Sequence, residues 1–451
     1  MRTRGRIFIV GLVLAGAVGL LAASCNRRGG SRGVAPAAAM PVVEAPRRTL
    51  PPLPSRPLSP RLRAMRERAM AKTARARGLE WRGEVGMTEL SGWEYGTRTK
   101  EIADVLATDD LKGLSQLAVA GGMLPGGTDL AALAVSFTAA TAGATYSPLD
   151  KQVLLVAEGP KGAFKDEALL THELVHALQD QHFDLLQLLL ARPYNFDRAE
   201  ALFALVEGDA MSVERRLQFG EEWARQTPEQ MARREEERFA PYRRGIGALF
   251  PPLLTETFVF RYRDGLRFVE SMRRARPPFS ADELFRRPPA SSEQVLHPEK
   301  YAAGEQPRAV SLSVEGFTRA GWRLSAATPI GEIGVRGVLL AGVPSEEAAR
   351  AAAGWGGDRA LLFERAGRAP LFVWQTTWDR AADAQEFYRS FNNLQRQRSA
   401  PEVLAFVPAD AEQQAWRDGG VLTHVRLEGD AVLVLRGDAD DVAEALQLIK
   451  P

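Results

Sequence analysis

The chain has 451 residues, 45% hydrophobic and 25% charged, enough for a sizeable core and more than one domain. Its 58 Lys and Arg nearly balance 56 Asp and Glu, and the net charge of +2 argues against a dedicated nucleic-acid binder with a basic face. A single cysteine excludes an intramolecular disulfide.

The N-terminus reads as an export signal outside the fold. Arg2, Arg4 and Arg6 precede an apolar run from Ile7 to Leu21, and Leu21-Ala22-Ala23-Ser24-Cys25 places small residues before the sole cysteine. The pattern is similar to a bacterial lipobox, with Ala22 where leucine is usual. It implies removal of residues 1–24 and a lipid on Cys25, holding the protein to a membrane of the cell envelope and facing periplasm or exterior. An uncleaved membrane anchor is the alternative, for which the run is slightly short. Residues 25–60 carry eight prolines, from Pro36 to Pro60, and are expected to form a solvated, disordered tether.

Arg61 to Arg77 predicts a basic helix, read as a solvated face, with anionic lipid headgroups as the alternative contact. Trp81 to Met87 predicts a strand. Thr97 to Ala142 predicts two or three helices, broken at Gly121-Gly122 and Pro125-Gly126-Gly127. Lys151 to Glu158 predicts a short strand ended by Gly159, Pro160 and Gly162. A helix from about Phe164 then carries Leu169, Leu170, Leu174 and Leu178 inward.

That helix holds the most specific motif. Three of the five histidines fall between His172 and His182, and His172, Glu173 and His176 spell H-E-x-x-H. Residues four apart share a helix face, with Cβ atoms about 6 Å apart. Two imidazoles at that spacing can grip one Zn²⁺, with Glu173 beside them to polarise water. The alternative is a structural helix whose histidines are merely hydrogen-bonded. A catalytic zinc needs a third protein ligand. Glu207 is one candidate, a carboxylate inside the apolar helical segment from Ala199 to Ala210, where its burial is costly unless it is paired or metal-bound. His182 is the other, at the spacing of H-E-x-x-H-x-x-G-x-x-H enzymes. Its turn glycine is replaced by Gln179, and a continuing helix points His182 away from the metal.

H-E-L-V-H-A-L-Q-D-Q-H-F-D-L, followed some thirty residues later by A-L-V-E-G-D-A, resembles a group of bacterial secreted or lipoprotein metallopeptidase-like proteins. These are of the gluzincin type, with thermolysin as a distant archetype. The resemblance runs from about Arg77 to Ser291-Ser292-Glu293-Gln294-Val295-Leu296-His297-Pro298-Glu299-Lys300-Tyr301, and takes in Gly354 to Arg359. It implies a mainly helical zincin-like domain and one Zn²⁺ per chain, held by His172, His176 and Glu207. It also implies Glu173 as general base and a peptide or protein as substrate. One position departs from thermolysin, which has an aspartate four residues after the ligand glutamate. Met211 stands there, while Asp209 lies two residues after Glu207.

Further on, Gln226 to Arg238 predicts a charged surface helix and Thr255 to Arg274 an amphipathic one. Ser291-Ser292-Glu293-Gln294 reads as a capping box opening a short helix that Pro298 ends. His297, Tyr301 and Tyr262 are candidate oxyanion donors, His297 foremost, weighed against plain capping and packing roles. Past Arg308 the texture changes. Val310 to Val314, Arg323 to Ser325, Leu361 to Glu364, Leu371 to Thr377, Val421 to Leu427 and Ala431 to Arg436 predict strands, with hairpin turns at Gly367 and Glu428-Gly429-Asp430. Ser345 to Ala353, Ala381 to Arg396 and Ala439 to Ile449 predict helices. Gly354 to Arg359 lacks the Lys-Ser/Thr of a phosphate loop and predicts a tight turn presenting Trp355 and Asp358.

The fold expected is therefore α+β: a mainly helical zincin-like domain over 61–307 and a smaller α+β domain over 308–451 for packing, substrate guidance or partner binding. The function expected is a membrane-tethered zinc metallopeptidase. A non-catalytic envelope binding module that keeps the fold is the alternative, and zinc-dependent hydrolysis of another substrate class is a third.

Overall fold

Two sheets and the helices around them organise the chain in a computed structural model, which describes residues 50–106, 109–141, 143–157, 164, 166–189, 194–275, 277–402 and 412–449. The expected signal segment, Cys25 and most of the expected tether lie outside the described residues. The fold class is α+β, as the sequence predicts. Among the described residues no helix is long and apolar enough to cross a membrane. The chain forms two compact units. One takes in the described residues up to Lys112, Leu130–Asn195 and Asp209–Arg225. The other takes in Gly113–Asp129, Phe196–Gly208 and the described residues from Gln226 onward. This grouping does not follow the change of texture at 308.

In the first unit, helix α1 (Pro60–Arg77) is capped by Ser59, whose hydroxyl accepts from Leu62 N at 3.2 Å. Strands β1 (Gly86–Leu90), β2 (Ala144–Ser147) and β3 (Gln152–Val156) form a small mixed sheet in the order β1-β3-β2. β3 runs parallel to β1 and antiparallel to β2. Helix α2 (Gly92–Leu106) places Tyr95 against Leu90 and Leu154 of this sheet. The motif helix α3 (Glu167–Phe183) packs on α1 and on β2.

Residues 50–59, expected in the disordered tether, instead lie along this unit. Arg98 Nη1 donates to the Pro51 carbonyl at 2.8 Å, and Arg56 forks onto the Glu94 carboxylate at 2.6 and 3.0 Å. Leu53 joins the cluster of Leu90, Tyr95 and Leu154. Proline-rich chain is already extended, so ordering it costs little entropy, and one leucine plus one forked ion pair is enough to dock it.

Helix α4 (Phe196–Phe219) runs through both units. In the second unit, its first half crosses α5 (Pro252–Ala275) at glycines on both sides. Seven strands form one antiparallel sheet in the order β4-β5-β6-β10-β9-β8-β7: β4 (Arg323–Thr328), β5 (Trp355–Glu364), β6 (Leu371–Trp378), β7 (Ala400–Pro401), β8 (Gln413–Asp418), β9 (Val421–Glu428) and β10 (Ala431–Gly437). Both expected hairpins form, β5–β6 around Gly367 and β9–β10 around Gly429. Helix α7 (Ala381–Arg398) stacks Phe387 on Trp378, while α8 (Ala439–Leu448) adds Val442 and Ala445 to the cluster of Leu361, Phe363, Leu371 and Leu433.

Three expectations fail here for identifiable reasons. Val310 to Val314 is not a strand, because the sheet ends at β4. The short helix Ser292–Leu296 does end before Pro298 as expected, and Pro298 also opens the next, Pro298–Ala303, where its missing N–H is no loss. The helix of 226–238 runs from Pro228 to Arg244 and is not wholly a surface element, since Met231, Phe239 and Tyr242 are buried. Gly354 to Arg359 is no presenting turn. Past Gly354 it is the start of β5, and Trp355 and Asp358 point inward. The Asp358 carboxylate accepts from Trp355 Nε1 at 3.0 Å and Trp374 Nε1 at 2.8 Å. It also accepts from the backbone N–H groups of Ile330 and Gly331, at 2.8 and 3.0 Å.

Candidate metal centre

Helix α3 is defined by its ends. The Asp166 side chain accepts from Ala168 N at 3.0 Å and Leu169 N at 2.9 Å, and Asp184 closes the helix with a left-handed φ of 51°. No glycine or proline interrupts the residues between. Every residue from Leu169 to Asp180 is buried, so the helix is enclosed on all sides rather than turning one apolar face inward.

His172 and His176 lie one turn apart, with ring centroids 4.8 Å from each other. Glu207 of α4 joins them: one ligand-type atom from each of the three lies within 4.8 Å of the others. His182 is elsewhere, with its Nε2 2.8 Å from the Glu80 carbonyl oxygen. The helix passes straight through Gln179, without the turn a third histidine would need. His172, Glu173, His176 and Glu207 are all 0% exposed.

Each imidazole has an orienting partner. His172 Nδ1 lies 3.0 Å from Glu214 Oε2, and His176 Nδ1 lies 2.9 Å from Gln179 Oε1. Both partners are acceptor oxygens, so each Nδ1 is the donor in its contact, as in a histidine that ligates a metal through Nε2. Gln179 Nε2 donates to Asp209 Oδ2 at 2.9 Å, and Arg77 Nε donates to the same oxygen at 2.7 Å. Asp209 thus acts on His176 at one remove, and the buried Met211 has no polar part in the site. Helical spacing marks two of these partners: Gln179 is three residues after His176, and Glu214 is seven after Glu207. Arg77 and Tyr146 carry no such signal in the sequence.

Glu173 is held from the sheet. Its Oε2 accepts the backbone N–H of Tyr146, on β2, at 2.6 Å. The Tyr146 phenol and Lys151 Nζ each donate to Asp180 Oδ2 at 2.7 Å, tying β2 and the turn after it to the same helix. Two imidazoles and one carboxylate converging in the buried interior form a donor set of the kind that suits Zn²⁺.

The three candidate oxyanion donors have other engagements, and none belongs to the histidine–glutamate group. His297 Nε2 lies 3.0 Å from Glu332 Oε1, a contact that raises the imidazole pKa. The Tyr301 phenol donates to the Arg287 carbonyl at 2.8 Å. The Tyr262 ring packs with Phe239 and Phe258. A second acidic group, Glu293, Glu305 and Asp379, has its cation already in Lys300, whose Nζ lies 2.6, 2.8 and 2.6 Å from the three carboxylates.

Comparison with known proteins bears on the other end of the chain. No curated protein and no solved structure matches it. The family model of a domain of unknown function, DUF8575, matches residues 322–447, which span the sheet from β4 to β10 and most of α8.

Proposed function

We propose that the protein is a zinc-dependent metallopeptidase of the zincin type, tethered to a cell-envelope membrane through a lipid on Cys25. The observation that carries this reading is the convergence of His172, His176 and Glu207 within 4.8 Å, with Glu173 beside them on the same helix. Zn²⁺ at such a site supplies Lewis acidity, polarising a scissile carbonyl and lowering the pKa of water toward about 7. The protein side is then simple. Glu214 and Gln179 keep the imidazole lone pairs available. The Tyr146 N–H holds one oxygen of Glu173, which limits the carboxylate's rotation. Glu173 takes the proton of the attacking water and delivers it to the leaving amine nitrogen.

One observation favours a second reading. The three ligands and Glu173 are fully buried, and closed metal sites are commonly structural, whereas catalytic ones keep an open position. In that case the protein is a non-catalytic envelope module whose metal staples α3 to α4.

Glu173→Gln separates the two readings, because it preserves shape and leaves all three ligands in place. The peptidase reading expects purified protein to hold about one zinc per chain and to cleave members of a mixed peptide library. Glu173→Gln should retain the zinc and the melting temperature while cleavage falls by orders of magnitude. Zinc without cleavage in the wild type, together with a large loss of thermal stability on chelation, would favour the staple. Absence of zinc from the wild type under any loading condition would sink both.

A further inference from the structure

His176 faces a choice that His172 does not. The partner of His172 Nδ1 is a carboxylate, Glu214, which when ionised can only accept. The partner of His176 Nδ1 is a primary amide, which offers an oxygen in one orientation and an NH₂ donor in the other. A flip of Gln179 would turn Nε2 toward His176 and drive the imidazole proton onto its own Nε2, the nitrogen a metal would use.

What opposes the flip lies one residue further along. Asp209 Oδ2, an acceptor, stands 2.9 Å from Gln179 Nε2, so a flipped amide would set two oxygens against each other. Asp209 is itself held by Arg77 Nε at 2.7 Å, and the side chains of that ion pair are 4% and 0% exposed. Two donors, Arg77 Nε and Gln179 Nε2, therefore meet on the one oxygen Oδ2, which holds it in the accepting role. The order Arg77, Asp209, Gln179, His176 links α1, α4 and α3: His176 donates to Gln179 and Gln179 to Asp209, while Arg77 donates to Asp209 from the other side, so both directions end on the carboxylate.

We propose that Arg77, Asp209 and Gln179 form a positioning relay that fixes the His176 proton on Nδ1 and so keeps its Nε2 lone pair available. The purpose of the relay rests on the metal reading above; its geometry does not. Asp209, two residues past Glu207, thereby does through Gln179 what a directly bonded aspartate does for a histidine ligand elsewhere. Arg77, at the last turn of α1, becomes part of the centre although it lies far upstream of the motif.

The test reads the tautomer directly. Full-length, metal-free protein labelled with ¹⁵N at its five histidines is examined by long-range ¹H–¹⁵N correlation, with the His176 signals assigned by their loss in His176→Gln. Wild type is expected to show the Nδ1–H form at His176. Gln179→Met, which keeps the volume but offers no acceptor, and Asp209→Leu should both move population to Nε2–H. Asp209→Asn should restore the wild-type pattern, because one amide oxygen can accept from both Gln179 and Arg77. Zinc affinity by chelator competition should weaken about 10–100-fold in Gln179→Met and Asp209→Leu and stay near wild type in Asp209→Asn. Folding is checked by melting, and should Asp209→Leu not fold, Gln179→Met decides alone. An unchanged Nδ1–H tautomer in folded Gln179→Met overturns the relay. The expected tautomer shifts in a protein that never takes up zinc would support the relay while removing the metal reading.

Discussion

At the scale of single residues, the site rests on which buried polar groups have a reason to be buried. The sequence favours Glu207 over His182 as third ligand, and in the structure Glu207 groups with the histidines, while His182 bonds to a carbonyl near the end of its helix. Glu207→Gln should therefore strip most of the zinc and His182→Ala should leave it, as measured by metal content after gel filtration. The reverse result would hand the third position to His182. A second residue-scale prediction concerns Asp197, which is buried and accepts from Ser292 N at 2.9 Å and from the Ser292 hydroxyl. Burial pushes its pKa from 3.8 up to about 8, with the Asp358 and Glu293 charges adding to the effect and the Ser292 bonds opposing it. Burial likewise raises Glu293 to about 7 and Asp358 to about 6. A raised carboxyl pKa means that the folded state holds the proton more tightly than the unfolded one. The associated stability is therefore full below pH ~4 and is lost as pH rises to ~8. Thermal melts should fall across that window, one such group contributing at most about 1.4 kcal/mol per pH unit. Asp197→Asn should flatten the slope, and an unchanged slope would show that Asp197 does not hold the proton.

At the scale of elements, spacing and capping placed most helices, and packing decided the rest. The strand–turn–helix order around the motif was legible: β3 and α3 appear where Lys151 to Glu158 and the segment after Phe164 predict them. The helix Gly331–Leu339, which we term α6, was not. It holds three glycines and three β-branched residues, a composition that disfavours a helix. Gly337 is explained by α5, since a Cβ there would lie 2.9 Å from Leu253 Cα, and Arg336 pairs with Glu256 of the same helix at 3.0 Å. Strand β8, Gln-Gln-Ala-Trp-Arg-Asp, is equally unpromising alone and exists because it pairs with β9 along its length. The same close packing supports the ligand-bearing helix. A Cβ at Gly265 would lie 2.1 Å from the Ala204 carbonyl oxygen, and one at Gly208 would lie 2.2 Å from the Gly265 backbone. Gly265→Ala must push α4 and α5 apart beside Glu207. We expect a loss of about 1–3 kcal/mol in stability and a clear weakening of zinc affinity, by denaturant titration and chelator competition. A variant with wild-type affinity would show that Glu207 does not depend on this crossing.

At the scale of the whole molecule, the docked segment 50–59 separates the folded body from the expected lipid attachment point at Cys25. Cys25→Ser should abolish lipid labelling and release the protein from membranes, while leaving the melting temperature and zinc content unchanged. Wild-type protein that is unlipidated and freely extractable would overturn the anchoring proposal without touching the metal centre. The sequence by itself determined the α+β class, the motif helix and its two histidines, both principal hairpins and most of the second unit's strands. These follow from local rules: hydrophobic period, caps, turn residues and a spacing of four on a helix. Only the tertiary structure shows the grouping of Glu207 with the histidines, the partners Glu214, Gln179, Asp209, Arg77 and Tyr146, and the inward turn of Asp358. It also decided that residues 50–59 dock and that glycine-rich 331–339 is helical. The physical reason is common to all of these. Each depends on what a side chain or backbone meets from a segment distant in the chain, where desolvation, pairing and close approach outweigh local preference.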